Sequence, residues 1–284
     1  MSLPPLDVRA LLRRHALEPH KGLGQNFLVD HSALLKIVTA AEIQPGDTVL
    51  EIGAGLGSLT RLLASQAQKV VAVEIDRHLL PVLQEVMTPF PNAAIVQGDM
   101  LELKPEELVN TPGYLVVANI PYYITSALIR HLLASPVKPM RIVLTMQNEV
   151  AERICAAPGD LSLLALSVQV FGTPRVVAAI PAGAFYPPPR VDSATLRVDL
   201  FPTPLIPEAQ LETFFMLARH GFAQKRKTLR NSLSAGLHLS GEQAAALLNS
   251  AGIDPMRRAQ TLDLVEWRTL VAEYLAQVPA GREK

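Results

Sequence analysis

A single cysteine, Cys155, in 284 residues excludes an internal disulfide, so no covalent staple holds this fold and a reducing compartment suits it. Without a base placed for it, Cys155 reads as apolar filler. No run of 18 apolar residues is present, which excludes a hydrophobic membrane-spanning helix of ordinary length. The opening stretch MSLPPLDVRALLRRHAL carries arginines but neither an apolar h-region nor a small-residue cleavage site, so the expectation is a cytoplasmic chain without a secretory signal. The seven histidines show no ligand spacing with one another or with Cys155, and no metal site is expected. Repeats and low-complexity tracts are also missing. Net charge is zero, with 26 Lys/Arg against 26 Asp/Glu, so the chain is not a uniformly basic polyanion binder.

The charge is segregated, however. The balance is +2 over residues 1–40, −6 over 41–120, +2 over 121–200 and +2 over 201–284. Basic residues gather toward the ends, and the acidic block coincides with the most regular part of the chain. There, short β-rich runs recur at Thr48–Ile52, Val70–Glu74, Ala94–Gln97, Leu115–Asn119 and Arg141–Met146, with helix-length segments such as Leu59–Ser65 and Leu79–Val86 between most of them. This alternation predicts βαβ units and a parallel sheet. Val168–Ile180 and Ala194–Leu200 read as two more strands at an antiparallel edge. From Pro207 the sequence becomes helical in period and loses strand signals, and the linker Phe201-Pro202-Thr203-Pro204 marks the change. The expected organisation is an N-terminal arm and α/β domain over 1–204 and a small all-α domain over 205–284.

The first strand runs into Glu51-Ile52-Gly53-Ala54-Gly55-Leu56-Gly57 and then a helix. Glycines at alternating positions let the backbone turn sharply and bring its amides close to a ligand. A dinucleotide loop reads Gly-x-Gly-x-x-Gly; here the third glycine comes one residue early, which points to a nucleoside without a pyrophosphate, S-adenosylmethionine rather than NAD. The second strand ends in Glu74, nineteen residues after Gly55, close to the offset at which an acid reaches ribose hydroxyls. The third ends in Gln97-Gly98-Asp99-Met100 and the fourth in Asn119. Four strands thus deliver a polar or glycine signal at the carboxyl edge, where open α/β sheets bind ligands. Glu51, among apolar neighbours, is expected to accept hydrogen bonds from loop amides.

The fourth strand continues as Ala118-Asn119-Ile120-Pro121-Tyr122-Tyr123-Ile124-Thr125. Alone, this is also how a strand closed by a proline turn looks. Beside a methyl-donor site it supplies an amide, fixed carbonyls and an aromatic ring, the groups that hold a flat base by its exocyclic amine. Asn119 and the Ile120 carbonyl would accept the amine hydrogens and aim its lone pair, so positioning and electrostatics replace a strong base. Tyr122 would stack on the base.

HKGLGQNFLVD (20–30), VLEIGAGLGSLT (49–60), VVAVEIDR (70–77), QGDML (97–101), VANIPYYI (117–124), FYPPPRVDSA (185–194) and FAQKRKTLRNSL (222–233) together closely resemble the ribosomal RNA adenine dimethyltransferases of the small-subunit type. The resemblance implies a Rossmann-like S-adenosylmethionine-dependent methyltransferase sheet with a helical C-terminal domain. It implies that Asn26 and the Leu28 backbone meet the methionine part of the cofactor, and that Gly53 and Gly55 line the glycine loop. Glu74 would hold the ribose, Asp99 with Met100 the adenine end, and Asn119 both cofactor and target. Asn119, Pro121 and Tyr122 would form the catalytic corner, and Phe185 the second aromatic face. The implied reaction is dimethylation of two adjacent adenosines in a hairpin near the 3′ end of 16S rRNA, within an immature small subunit, by a monomer. A large-subunit rRNA adenine methylase, a non-enzymatic assembly factor of the same fold and a nicotinamide dehydrogenase are the alternatives.

Two basic groups remain for RNA. Lys21, with Arg13 and Arg14 upstream and no acid between Asp7 and Glu18, is expected to meet phosphates. Arg219, Lys225, Arg226, Lys227 and Arg230 lie in an acid-free stretch that repels itself unless a polyanion neutralises it.

Overall fold

The computed structural model describes residues 3–121 and 124–277. Two compact units emerge, one of Met1–Glu152 with Thr173–Leu200, the other of Arg153–Gly172 with Phe201–Lys284. The chain therefore crosses between units three times. The final crossing falls close to the expected 204/205 boundary, but residues 153–172, expected in the α/β domain, belong with the helices.

The strands are β1 (Phe27–Leu28), β2 (Thr48–Ile52), β3 (Lys69–Glu74), β4 (Ala93–Gln97), β5 (Leu115–Asn119), β6 (Arg141–Gln147), β7 (Gly172–Ile180), β8 (Phe185–Tyr186) and β9 (Ser193–Leu200). Seven form one sheet in the order β4-β3-β2-β5-β6-β9-β7. From β4 to β6 the pairing is parallel, and β9 runs antiparallel to β6. The central runs are rich in Val, Leu and Ile because helices cover both faces of such a sheet, and four of the five residues of β5 are buried. The order places β2 beside both β3 and β5, so the chain reverses direction across the sheet there and opens a crevice at the carboxyl edge.

The helix His31–Ala41 packs Leu34, Ile37, Val38 and Ala41 into the core. Asp30 caps its start, accepting the Ala33 N–H at 2.7 Å. At its other end the Ala40 and Ala41 carbonyls accept from Arg197 Nη1 at 2.9 Å and Arg141 Nη1 at 2.6 Å, and Glu42 and Asp199 pair with both arginines. Two cations thus satisfy the free carbonyls where the helix dipole is negative.

β1 and β8 form a separate antiparallel pair, with Phe27 opposite Tyr186 and Leu28 opposite Phe185. The strand expected at Val168–Ile180 begins later than expected, because Val168 and Gln169 still belong to a helix. Ser162 caps Leu163–Gln169 by accepting the Ala165 N–H at 3.1 Å, and the strand starts only at Gly172. In the helical unit, Gln260 exchanges two hydrogen bonds with Gly159, and Phe171 stacks on Phe215 with centroids 6.4 Å apart. The basic stretch Arg219–Arg230 is not one helix. Leu211–Phe222 ends, a turn closes with Lys227 N–H donating to Gln224 O at 3.0 Å, and Thr228 caps Leu229–Leu237. Among the described residues, no helix is long and apolar enough to cross a membrane.

Candidate functional site

A cavity of about 190 Å³ opens at the carboxyl edge of the sheet, lined entirely by residues of the sheet unit. Its walls are the loop after β2 (Gly53, Gly55), the ends of β3 (Glu74, Ile75), β4 (Gly98, Asp99, Met100) and β5 (Asn119, Ile120, Pro121), the segment Leu23–Phe27, and Phe185. Four strand ends thus converge on one space.

The glycine loop turns because Gly53, Gly55 and Gly57 all adopt positive φ, at 77°, 57° and 85°. A Cβ on Gly53 would stand 3.4 Å from the Asn119 carbonyl oxygen, so the loop lies close against the end of β5. Glu74 organises the opposite wall. Its Oε2 accepts the Gly55 N–H at 2.6 Å and its Oε1 the Asp76 N–H at 2.8 Å. Burial, with 5% of the residue exposed, raises its pKa above the ordinary carboxylate range against the pull of these amides. The role expected of Glu51, accepting the loop amides, thus falls to Glu74. Glu51 is 1% exposed, its Oε2 has no hydrogen-bond partner among the described residues, and burial pushes its carboxyl up to about 8.

Gly98 N–H donates to Glu74 O at 3.0 Å, which brings Asp99 beside Glu74. Asp99 also takes the Leu101 N–H on Oδ1 at 2.9 Å. At the end of β5, Asn119 Nδ2 donates to the Asn26 carbonyl at 3.2 Å, and Asn26 Nδ2 donates to Gly24 O at 3.1 Å. With its nitrogen engaged, Asn119 keeps its oxygen as the group that can accept.

Of the expected site residues, Asn26, Gly53, Gly55, Glu74, Asp99, Met100, Asn119, Pro121 and Phe185 meet around this cavity. Phe185 is 2% exposed and also belongs to the core. The Leu28 side chain is buried in the core, and its neighbour Phe27 lines the wall. Tyr122 lies outside the described residues. Lys21 stands exposed at the start of the segment leading to Asn26. Arg14, expected on a phosphate, pairs with Glu85, which also lies 3.1 Å from His15. Lys225, Arg226, Lys227 and Arg219 are exposed and Arg230 half-buried, all in the helical unit. Gln25, Phe27 and Ile75 are lining residues missed from the sequence; each adjoins a residue that was identified, and that adjacency was the available signal. Among the described residues no cluster could hold a metal ion.

A family model described as ribosomal RNA adenine dimethylase matches residues 16–270. Among curated proteins, ribosomal RNA small subunit methyltransferase A of Dehalococcoides mccartyi is 45% identical over 277 residues, covering 96% of this chain and 95% of its own. The protein of the same description from Pelotomaculum thermopropionicum is 43% identical, covering 95% and 96%. Among solved structures, a dimethyladenosine transferase from Plasmodium falciparum superposes with a TM-score of 0.75 at 26% identity, covering 87% of this chain and 97% of that one. The 23S rRNA methyltransferase ErmE gives 0.72 at 29% identity, covering 87% and 99%.

Proposed function

The chain belongs to the ribosomal RNA adenine dimethylase family, an S-adenosylmethionine-dependent family, and on that premise we propose that it dimethylates adenosine in small-subunit rRNA. The substrate we assign is a pair of adjacent adenosines in a hairpin near the 3′ end of 16S rRNA, met in the cytoplasm within an immature small subunit by a monomeric enzyme. The observation that carries this reading is the anchored Asn119, an acceptor held at the mouth of β5 beside the glycine loop.

The residues present fit the cofactor. Each Glu74 oxygen takes one backbone amide and retains a lone pair for a ribose hydroxyl. Asp99 and Met100 would hold the adenine end, Asn26 with the Leu28 backbone the methionine end, and Gly53 and Gly55 the space between. When bound, the cofactor supplies an electrophilic methyl group on a sulfonium. Asn119 Oδ1 and the Ile120 carbonyl accept the hydrogens of the target amine and orient its lone pair, while Pro121 fixes the turn that carries them. Phe185 and Tyr122 would face the two sides of the base. Lys21, Arg219, Lys225, Arg226, Lys227 and Arg230 would contact phosphates and dock the RNA.

Tritiated methyl from S-adenosylmethionine tests the reading directly. Label in small-subunit rRNA, on adenine, is the expected result. Label in large-subunit rRNA would move the chain to the activity that the ErmE structure carries in its name, and no label in either would leave an assembly factor.

A further inference from the structure

Gln25 spends both ends of its carboxamide on protein groups. Its Oε1 accepts the His20 N–H at 2.7 Å, and His20 Nδ1 in turn accepts the Leu23 N–H at 3.2 Å, so residues 20–25 close into a loop. Its Nε2 donates to Asp76 Oδ2 at 2.8 Å, two residues beyond Glu74. The other Asp76 oxygen takes the His78 N–H at 3.0 Å, which leaves Asp76 8% exposed and held from both sides. One residue after Gln25, the Asn26 carbonyl receives the Asn119 amide. The segment is therefore pinned near the ends of two different strands, β3 and β5, and Leu23–Phe27 line the cavity between the pins.

We propose that Gln25 is a positioning residue for methyl transfer, which sets the Asn26 carbonyl in place and through it fixes which end of the Asn119 carboxamide faces the target amine. The proposal deepens the dimethylase reading and rests on it. An Asn side chain turned over about its last torsion fills nearly the same space, so hydrogen-bond partners alone decide whether oxygen or nitrogen points a given way. The Asn26 carbonyl attracts an N–H and repels an oxygen, and it thereby selects the orientation in which Asn119 accepts. Gln25, engaged on His20 and Asp76, acts without touching the amine.

The side-chain ¹⁵N amide signal of Asn119, identified by its disappearance in Asn119→Ala, reports on the pin in the protein without cofactor or RNA. Hydrogen exchange of that amide should quicken roughly tenfold in Gln25→Ala, the scale of one lost hydrogen bond. Gln25→Glu is nearly isosteric and keeps the acceptor for His20 but faces Asp76 with a second carboxylate; it should quicken exchange equally. At saturating cofactor, Gln25→Ala should slow single-turnover transfer about tenfold yet change nothing further when combined with Asn119→Ala, because the two act in series. Calorimetry with S-adenosylhomocysteine should show a smaller change in affinity than in transfer. Unchanged Asn119 exchange in both Gln25 variants, or additive losses in the double variant, would overturn the proposal. A wild-type chain that methylates no small-subunit rRNA would instead overturn the function, while the exchange measurement still judges the pin.

Discussion

Glu51 and Glu74 are both acids on central strands with apolar neighbours, and their positions in the sheet give them opposite fates. Glu74 ends β3 and receives two amides; Glu51 lies one pleat inside β2, where its Oε2 has no hydrogen-bond partner among the described residues. Burial above all pushes Glu51 up to about 8, the adjacent Thr60 hydroxyl lowers it only in part, and the charge of Glu74 adds to the rise. The unfolded chain ionises this group near 4.5. Between those values the native state holds a proton that the unfolded state has released, so stability falls as pH rises through the window and levels off above it. Glu51→Gln keeps the shape without the ionisation. Its melting temperature should exceed wild type at pH 8, with an advantage that shrinks toward pH 5; a pH-independent difference would refute the assignment. The sequence showed both carboxylates, and the nineteen-residue offset singled out Glu74 for the ribose. It could not show which one faced the loop, since that depends on how β2 and β3 align.

The glycine loop and the parallel strands were legible because local chemistry dictates them: alternating glycines, β-branched runs, a proline after Asn119. Gly57 illustrates how much the loop depends on neighbours. At φ 85° a Cβ would sit 3.1 Å from both Leu83 and Val86 on the helix Leu80–Met87. Gly57→Ala should lower stability by about 1–2 kcal/mol from the left-handed backbone alone, read as a lower urea midpoint. What stayed hidden were contacts between elements distant in sequence. Arg14 looked free of acids, yet Glu85 meets it from 71 residues away. Within Arg219–Arg230 one helix ends at Phe222 and the next starts at Leu229, and the turn between them leaves three successive cations exposed. Reversing Arg226 and Lys227 to Glu should weaken subunit binding and flatten its salt dependence, since each phosphate contact with single-stranded RNA contributes a slope of about −0.7. Cofactor affinity should hold, because the cavity is lined by the other unit. An unchanged slope would assign the turn to solvent.

At the scale of the whole chain, the expectation of two domains in succession met a more entangled wiring. Residues 153–172 leave the sheet unit between β6 and β7, join the helical unit, and return. The partners of this excursion, Gln260 for Gly159 and Phe215 for Phe171, stand far along the chain, where no local pattern reveals them. A cut at residue 204 therefore does not yield a finished sheet unit. It strands Phe171 without Phe215 and Gly159 without Gln260. The fragment 1–204 should bind a hydrophobic dye and melt lower than a fragment that also replaces 153–172 by a short linker; equal behaviour would show that the excursion folds independently of the helices.

The bond from Asn119 to the Asn26 carbonyl also carries a consequence for which bases are admitted. An acceptor fixed at the mouth of β5 welcomes an exocyclic amine and opposes an exocyclic keto oxygen, whose lone pairs would face its own. Hypoxanthine has the outline of adenine, with a keto oxygen in place of the amine and a hydrogen added at the neighbouring N1. Inosine in place of the target adenosine should therefore lose about 1–3 kcal/mol of capture, the cost of opposing acceptors left without a hydrogen between them, measured by competition against the unmodified hairpin. Selection among purines would then reside in the direction of a single carboxamide, set before any RNA arrives.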